Sequence, residues 1–317
     1  MKVIYGIHDL SIAPKSSVVT VGVFDGVHAG HARVIGKAVA RARSAGLKSV
    51  VITFDPHPEK TLGRRSGAPS LISLDHRIRL IKAMSADYIV VLHFSKALAG
   101  LSAISFAKEV LLEKAGAREA YVGENFYFGK GAKAGPYELK KLGAALGIKV
   151  IVVPTLKIGG YRASSSLIRT LISSGRLDTA AKFLGRPVSA LGTVTAGANL
   201  ARELGYPTAN LNPHHEVIPP SGVYAVLVKY AGRTLKGVLN IGLRPTFYAP
   251  RDREPAIEVH IFNFHKTIYG RDLEVFFIKK IRDEKKFSGK ELLIERIKQD
   301  EKKALSILKT AKIRSYR

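Results

Sequence analysis

"SVVTVGVFDGVHAGHARVIGKAVARARSAGLKSVVITF", residues 17–54, decides the fold of the first half of the chain. It opens on a continuous β-branched run, 17–24, of the kind that lies in a sheet covered on both faces. Residues 31–46 then carry apolar side chains at helical spacing and stop at Gly46. A second apolar run, 48–54, follows. Strand, helix and strand in so short a span predict two parallel strands joined by a crossover helix. The turn between them, "GVFDGVHAGH" (22–31), falls beyond the carboxyl end of a strand, where open parallel sheets hold ligands. Gly26 permits a sharp turn there, and Gly30 permits close approach of the backbone. The helix start offers N–H groups and the positive end of a dipole to a phosphate. The spacing lets His28 and His31 face one side of the first helical turn as donors to a polyphosphate.

The alternation continues outward. Helices are expected over 75–84, 104–116 and 137–147, and strands over 87–94, 119–123 and 149–154. Two short helices follow, in "SSSLIRTLISSG" (164–175) and "LDTAAKFLG" (177–185). The pattern implies a parallel sheet with helices on both faces. It changes near Pro187. Short runs of strand character come next, at 189–195, 223–232, 233–241, 256–262 and 273–281, with Gly, Pro and Asn between them. An antiparallel sheet or closed barrel is expected, followed by an amphipathic helix over 289–311. The expected domains are 1–186 and 187–317.

Composition sets limits on function. The chain has 317 residues, 46% of them hydrophobic, enough for two folded domains. It has no Cys, which excludes disulfides, thiolate zinc sites and Cys nucleophiles together. The N-terminus lacks the apolar core of a signal peptide, and no apolar stretch reaches membrane-spanning length. The expectation is a cytoplasmic protein without a membrane partner. The net charge of +26 is dispersed over both halves and favours polyphosphate or RNA partners without choosing between them. Two His three apart are also compatible with a metal, but no third ligand lies nearby. The glycines match neither G-x-G-x-x-G nor a Walker A loop.

In the second half, the stretch 192–211 combines Gly and Ala, which admit a phosphate to the backbone, with the charge of Arg202. Thr208 and Asn210 stand two apart. On an extended segment both point the same way, and their oxygens are able to hold Mg²⁺ beside a phosphate. Alone, Thr and Asn after Pro207 would usually make a turn. Glu258 lies within a run of strand residues, where a carboxylate is either reactive or paired with a Lys or Arg at a barrel rim.

Residues 28–31 resemble the H-x-G-H motif of the nucleotidylyltransferase superfamily, shared by class I aminoacyl-tRNA synthetases. "TFDPHP" (53–58), "VGENFYFG" (122–129) and "SSSLIR" (164–169) are similar to the FMN adenylyltransferase module of the bacterial bifunctional riboflavin kinase/FAD synthetase family. "GYPTANL" (205–211), "NIGLRPTF" (240–247), "IEVHIF" (257–262) and "IRDEKKF" (281–287) are similar to its riboflavin kinase module. Two departures stand out: Ser166 where the family has Thr, and Ala201 where it often has Gly.

The resemblance implies an α/β Rossmann-like nucleotidylyltransferase domain, then an antiparallel β-barrel closed by an α-helix. It implies phosphorylation of riboflavin to FMN and adenylylation of FMN to FAD, with ATP as co-substrate, Mg²⁺ as cofactor and pyrophosphate released. His28 and His31 are implied to contact the ATP phosphates. Gly22, Phe24, Asp25, Gly26 and Gly30 form the surrounding nucleotide loop. Ser164, Ser165, Ser166 and Arg169 are implied to bind the pyrophosphate portion, and Asn125 a nucleotide or flavin edge. Phe54, Phe126 and Phe128 are expected beside the flavin or as ordinary core aromatics. In the kinase half, Arg202, Thr208 and Asn210 are implied to bind nucleotide, the last two with Mg²⁺, and Glu258 is implied to be the base for the riboflavin 5′-hydroxyl. The expected partners are riboflavin, FMN and ATP, without nucleic acid. Competing readings are a family member with one inactive module, or an RNA-binding or tRNA-acting protein. Against the second, there is no Lys-Met-Ser-Lys-Ser-like loop.

Overall fold

The computed structural model describes residues 1–63, 69–196, 205–214, 216–243, 255–285 and 287–313. Its described residues divide into two compact units, one within 1–70 and 74–165, the other within 71–73 and 166–313.

The first unit is built on six strands, β1 (Lys2–Tyr5), β2 (Ser17–Val21), β3 (Lys48–Asp55), β4 (Tyr88–His93), β5 (Ala117–Gly123) and β6 (Lys149–Val153). All pair in parallel, in the order β1-β4-β3-β2-β5-β6. A separate antiparallel pair, β7 (Lys157–Ile158) and β8 (Tyr161–Arg162), follows in the same unit. Every residue of β2 is buried, as its unbroken β-branched run requires of a central strand. The helices are α1 (Ala29–Ser44), α2 (Pro58–Thr61), α3 (Leu74–Lys82), α4 (Lys96–Gly100), α5 (Ala103–Ser105) and α6 (Pro136–Leu146). After β2 the chain builds outward through β3 and β4, then returns to β2's other side for β5 and β6. The order therefore reverses beside β2, and the loops leaving β2 and β5 part to open a crevice at their carboxyl ends.

Three local expectations are corrected. The strand expected over 17–24 ends at Val21, because Phe24 takes a left-handed backbone, φ 52°, that no strand continues through. The helix expected over 104–116 is a short α5 that widens into π-helical turns at Phe106–Lys114. β1 was not expected at all.

The second unit begins with α7 (Ser165–Ser173) and α8 (Leu177–Leu184). Six strands follow: β9 (Val188–Thr195), β10 (Ala209–Pro213), β11 (Gly222–Tyr230), β12 (Arg233–Leu243), β13 (Pro255–Ile261) and β14 (Asp272–Arg282). They pair antiparallel in a closed barrel, β10-β13-β12-β11-β14-β9, which leaves no open edge. Ala231 and Gly232, both at positive φ, make the tight turn between β11 and β12. α9 (Lys290–Leu308) lies on the outside, with Ala304 and Leu308 packed against Val223, Ala225 and Leu227. An ion pair fixes it, half-buried Arg282 to buried Asp300 at 2.7 Å.

Candidate functional site

The crevice of the first unit is a cavity of about 480 Å³ lined from the loops that leave β2, β3, β4, β5 and β6. The chain departs from β2 through Gly22, which lines the cavity, and Phe24. Gly26 takes φ 80°, a value that only glycine adopts without strain. It turns the chain but does not line the cavity. His28 then caps α1 from outside the helix, its Nδ1 accepting the N–H of His31 at 3.3 Å. That bond assigns the proton of a neutral His28 to Nε2. The two imidazoles stack with centroids 3.6 Å apart and planes 18° from parallel, so the pair shares one side as the spacing implied. Gly30 makes this possible: a Cβ there would meet Cε1 of His28 at 3.0 Å and Nδ1 at 3.1 Å.

Phe24 presents its edge to His31 at 5.4 Å. His31 is held well below the ordinary imidazole pKa, first by burial, then by the nearby His28 and Arg77. Its Nδ1 is enclosed without a hydrogen-bond partner. Asp25 is buried and also lines the cavity. Its carbonyl oxygen accepts from Ser165 Oγ at 2.9 Å, a bond within the first unit.

Arg77, on α3, was missed by the sequence reading. It is buried, and its Nη1 donates to the carbonyl oxygens of Val23 at 2.8 Å and Phe54 at 3.0 Å, and to Thr53 Oγ1 at 3.0 Å. Burial lowers its basicity, while Asp25 and Asp55 oppose that. The available signal was its position four residues before the buried Ile81, on a helix face expected to be apolar.

The opposite walls are aromatic. Phe54 meets Phe94 edge-on at 5.7 Å, and Phe126 stacks on Phe128 at 5.4 Å and 10°. Phe54 and Phe128 also belong to the core of the sheet, so they line the cavity and support it. Asn125 is exposed at the cavity lip, and Ser164 and Ser165 are half-buried in its wall. The wall ends at Ser165; Ser166 is exposed and Arg169 half-buried on α7, in the second unit.

In the second unit, Asn210 on β10 pairs directly with Glu258 on β13, and Glu258 pairs on its other side with Asn240 on β12. Directly paired residues project to one face, so the three form a polar row across three strands. Ile257, Val259 and Ile261 alternate with this row into the barrel interior, leaving Glu258 half-buried on the outward face. Thr208 immediately precedes β10 and is half-buried. The turn carrying it is tied to β13, because the Pro207 carbonyl oxygen lies 2.8 Å from His260 Nδ1 and Tyr206 meets the His260 ring edge-on at 5.6 Å. The register thus sets Asn210 beside Glu258, with Thr208 two residues before Asn210. Asn240 and His260 were not singled out from sequence; only the strand register reveals them. Arg202 and Ala201 lie outside the described residues, as do residues 244–247 and Lys286 of the quoted stretches.

Comparison with known proteins agrees with this division. A family model for FAD synthetase matches residues 11–167, and one for riboflavin kinase matches 184–308. The chain is 35% identical over 302 residues to the bifunctional riboflavin kinase/FMN adenylyltransferase of Bacillus subtilis (strain 168), covering 94% of each protein. It is 35% identical over 303 residues to the enzyme of the same name from Escherichia coli (strain K12), covering 95% of this chain and 96% of that one. A crystal structure described as a macrolide-efflux protein from Streptococcus pneumoniae superposes with a TM-score of 0.82 at 30% identity, over 95% of this chain and 98% of the other.

Proposed function

Because the chain belongs to the family of bifunctional riboflavin kinases/FMN adenylyltransferases, we propose that its two reactions are divided between the two sites described above. The enzyme phosphorylates riboflavin to FMN and adenylylates FMN to FAD. FAD formation is assigned to residues 1–186 and FMN formation to 187–317.

In the first site a phosphate oxygen of FMN attacks the α-phosphorus of ATP. The bond to the α-phosphorus forms as the bridge to the β-phosphate breaks, and pyrophosphate leaves. Catalysis then rests on positioning and on charge stabilisation. His28, with its proton on Nε2, donates to the phosphates, and His31 supplies a second, uncharged imidazole beside it. The start of α1 adds its backbone N–H groups. Ser164, Ser165, Ser166 and Arg169 take the leaving pyrophosphate, and the aromatic walls take the flavin. The observation that carries this reading is the stacked histidine pair at the cavity floor.

In the second site Glu258 takes the proton of the riboflavin 5′-hydroxyl as its oxygen attacks the γ-phosphorus of ATP and ADP leaves. Thr208 and Asn210 orient the nucleotide, and Arg202 contributes positive charge to its binding. The hydroxyl and amide oxygens of Thr208 and Asn210 are hard donors that suit Mg²⁺. Among the described residues no three His, Cys, Asp or Glu gather into a metal cage, so the ion would share its shell with phosphate oxygens. When bound, Mg²⁺ supplies charge neutralisation on those phosphates.

The name of the pneumococcal structure points to transport. Both halves of this chain carry nucleotide-handling residues, and no helix among the described residues is long and apolar enough to cross a membrane. The cytoplasm, where ATP is available, is the proposed place of action, and small molecules are the proposed partners. The test is incubation with riboflavin, ATP and Mg²⁺, with chromatographic separation of riboflavin, FMN and FAD. Both products are expected in sequence, and EDTA should stop both steps. Turnover that persists in EDTA would remove Mg²⁺ from the scheme, and absence of FMN would remove the kinase assignment.

A further inference from the structure

Arg77 takes no part in the scheme above and lies in none of the motifs that point to it. It is 2% exposed. A charge so deeply buried is costly unless its donors are satisfied, yet its Nε is enclosed without a partner. Asp25 and Asp55 offset part of that cost, but a buried donor left unpaired calls for an explanation, and such exceptions concentrate at functional sites. What the side chain does is specific. One nitrogen, Nη1, joins the Val23 carbonyl oxygen after β2 to the Phe54 carbonyl oxygen and Thr53 hydroxyl near the end of β3. Val23 directly precedes Phe24, whose left-handed backbone sets its ring edge against His31.

We propose that Arg77 is a positioning residue for adenylyl transfer: its guanidinium pins the exits of β2 and β3 together and so holds Phe24 and the His28–His31 pair in place against the nucleotide. The inference rests on the reading of those histidines as phosphate donors. The charge of Arg77 acts beside the tether. The groups facing His31 are His28 from the helix cap and Arg77 from α3, with Asp25 and Asp55 acting on Arg77 in turn. Burial first, then the neighbouring His28 and the Arg77 guanidinium, keep His31 uncharged at neutral pH. Removing the Arg77 charge therefore raises the pKa of His31 toward its ordinary 6.5.

Full-length Arg77→Met and Arg77→Lys test this, with FMN formation in the same chain as an internal control. Arg77→Met is expected to cut kcat for FAD formation by about hundredfold, the scale of loss when positioned groups shift by an ångström. FMN formation should be unchanged. The acid limb of its FAD pH profile should move to higher pH, and NMR titration of the His31 ring should show the same shift. Arg77→Lys keeps the charge but not the planar fork. It should restore the acid limb and only part of kcat. Wild-type FAD kinetics in an Arg77→Met protein whose first unit melts normally would overturn the proposal. If Arg77→Met loses that unit's fold, Arg77→Lys decides: undiminished kcat overturns the tether, whereas reduced kcat with an unshifted His31 supports it. Failure of the underlying reading is seen separately, as full FAD formation by His31→Ala whatever Arg77 does.

Discussion

Glu258 is the residue on which the assignment of FMN formation turns. The cross-strand pairing puts it between Asn210 and Asn240, neither of which carries a positive charge. A rim carboxylate serving only stability would face a Lys or Arg there. Glu258→Gln keeps the size and hydrogen-bonding capacity of the side chain but removes the proton acceptor. A positioned base contributes about 10²–10⁴-fold, so FMN formation should fall by that factor while supplied FMN is still converted to FAD. Normal phosphorylation of riboflavin by a variant that is merely less heat-stable would return Glu258 to a structural role. The residues legible in the sequence are those whose chemistry shows at short spacing: His28 with His31, Thr208 with Asn210. Arg77, Asn240 and His260 were not legible, because what they do is set by partners far along the chain. Arg77 bonds to Val23, and the His260 ring meets the Pro207 carbonyl oxygen. No local pattern announces such partners.

Elements were legible where a hydrophobic period ran for several turns or a whole strand. β2, β3 and α1 followed from residues 17–54 directly. β1 did not, since its four residues include only one that is fully buried and it sits at the sheet edge beside β4. The end of β2 was misplaced for a different reason: Val23 and Phe24 are apolar enough to continue a strand, and only the turn geometry stops it. Helix α1 offers a sharp test of whether its start is shaped for chemistry or for stability. On propensity alone Gly30→Ala should stabilise a helix by up to about 1 kcal/mol. Here the new Cβ would meet the His28 ring at 3.0 Å and push it off its stack on His31. The expected outcome is a loss of FAD formation of tenfold or more, on the order of one displaced hydrogen bond to a charged group, with no gain in the melting temperature of the first unit. FMN formation should not change. A variant that is more stable and fully active in FAD formation would show that the His28 ring position does not matter.

At the scale of the whole chain, two boundaries can be drawn and they differ. Composition changes near Pro187, whereas the compact units part between 165 and 166. The twenty-one residues 166–186 are therefore packed with the barrel while carrying, in Ser166 and Arg169, part of the stretch that resembles an adenylyltransferase. Periodicity could show two helices in this segment but not which neighbour they bury their faces against. Cutting the chain separates the possibilities. Fragment 1–186 keeps the histidine pair, Arg77 and all of "SSSLIR", so it should adenylylate supplied FMN and leave riboflavin untouched. Fragment 187–317 keeps Thr208, Asn210 and Glu258 and should do the reverse. It should also be the weaker fold. Helix α8 packs on β9 and β14, and its Phe183 and Leu184 are buried. Each such side chain contributes about 1.5–3 kcal/mol. A fragment 166–317 that retains α8 should accordingly melt higher than 187–317 and form FMN at the same rate per folded molecule. The complementary piece, 1–165, lacks Ser166 and Arg169 and should bind ATP poorly and form little FAD. Should folded 1–165 match 1–186 in FAD formation, Ser166 and Arg169 have no part in that reaction. Should 1–186 make FMN from riboflavin, the division of chemistry between the two units is wrong.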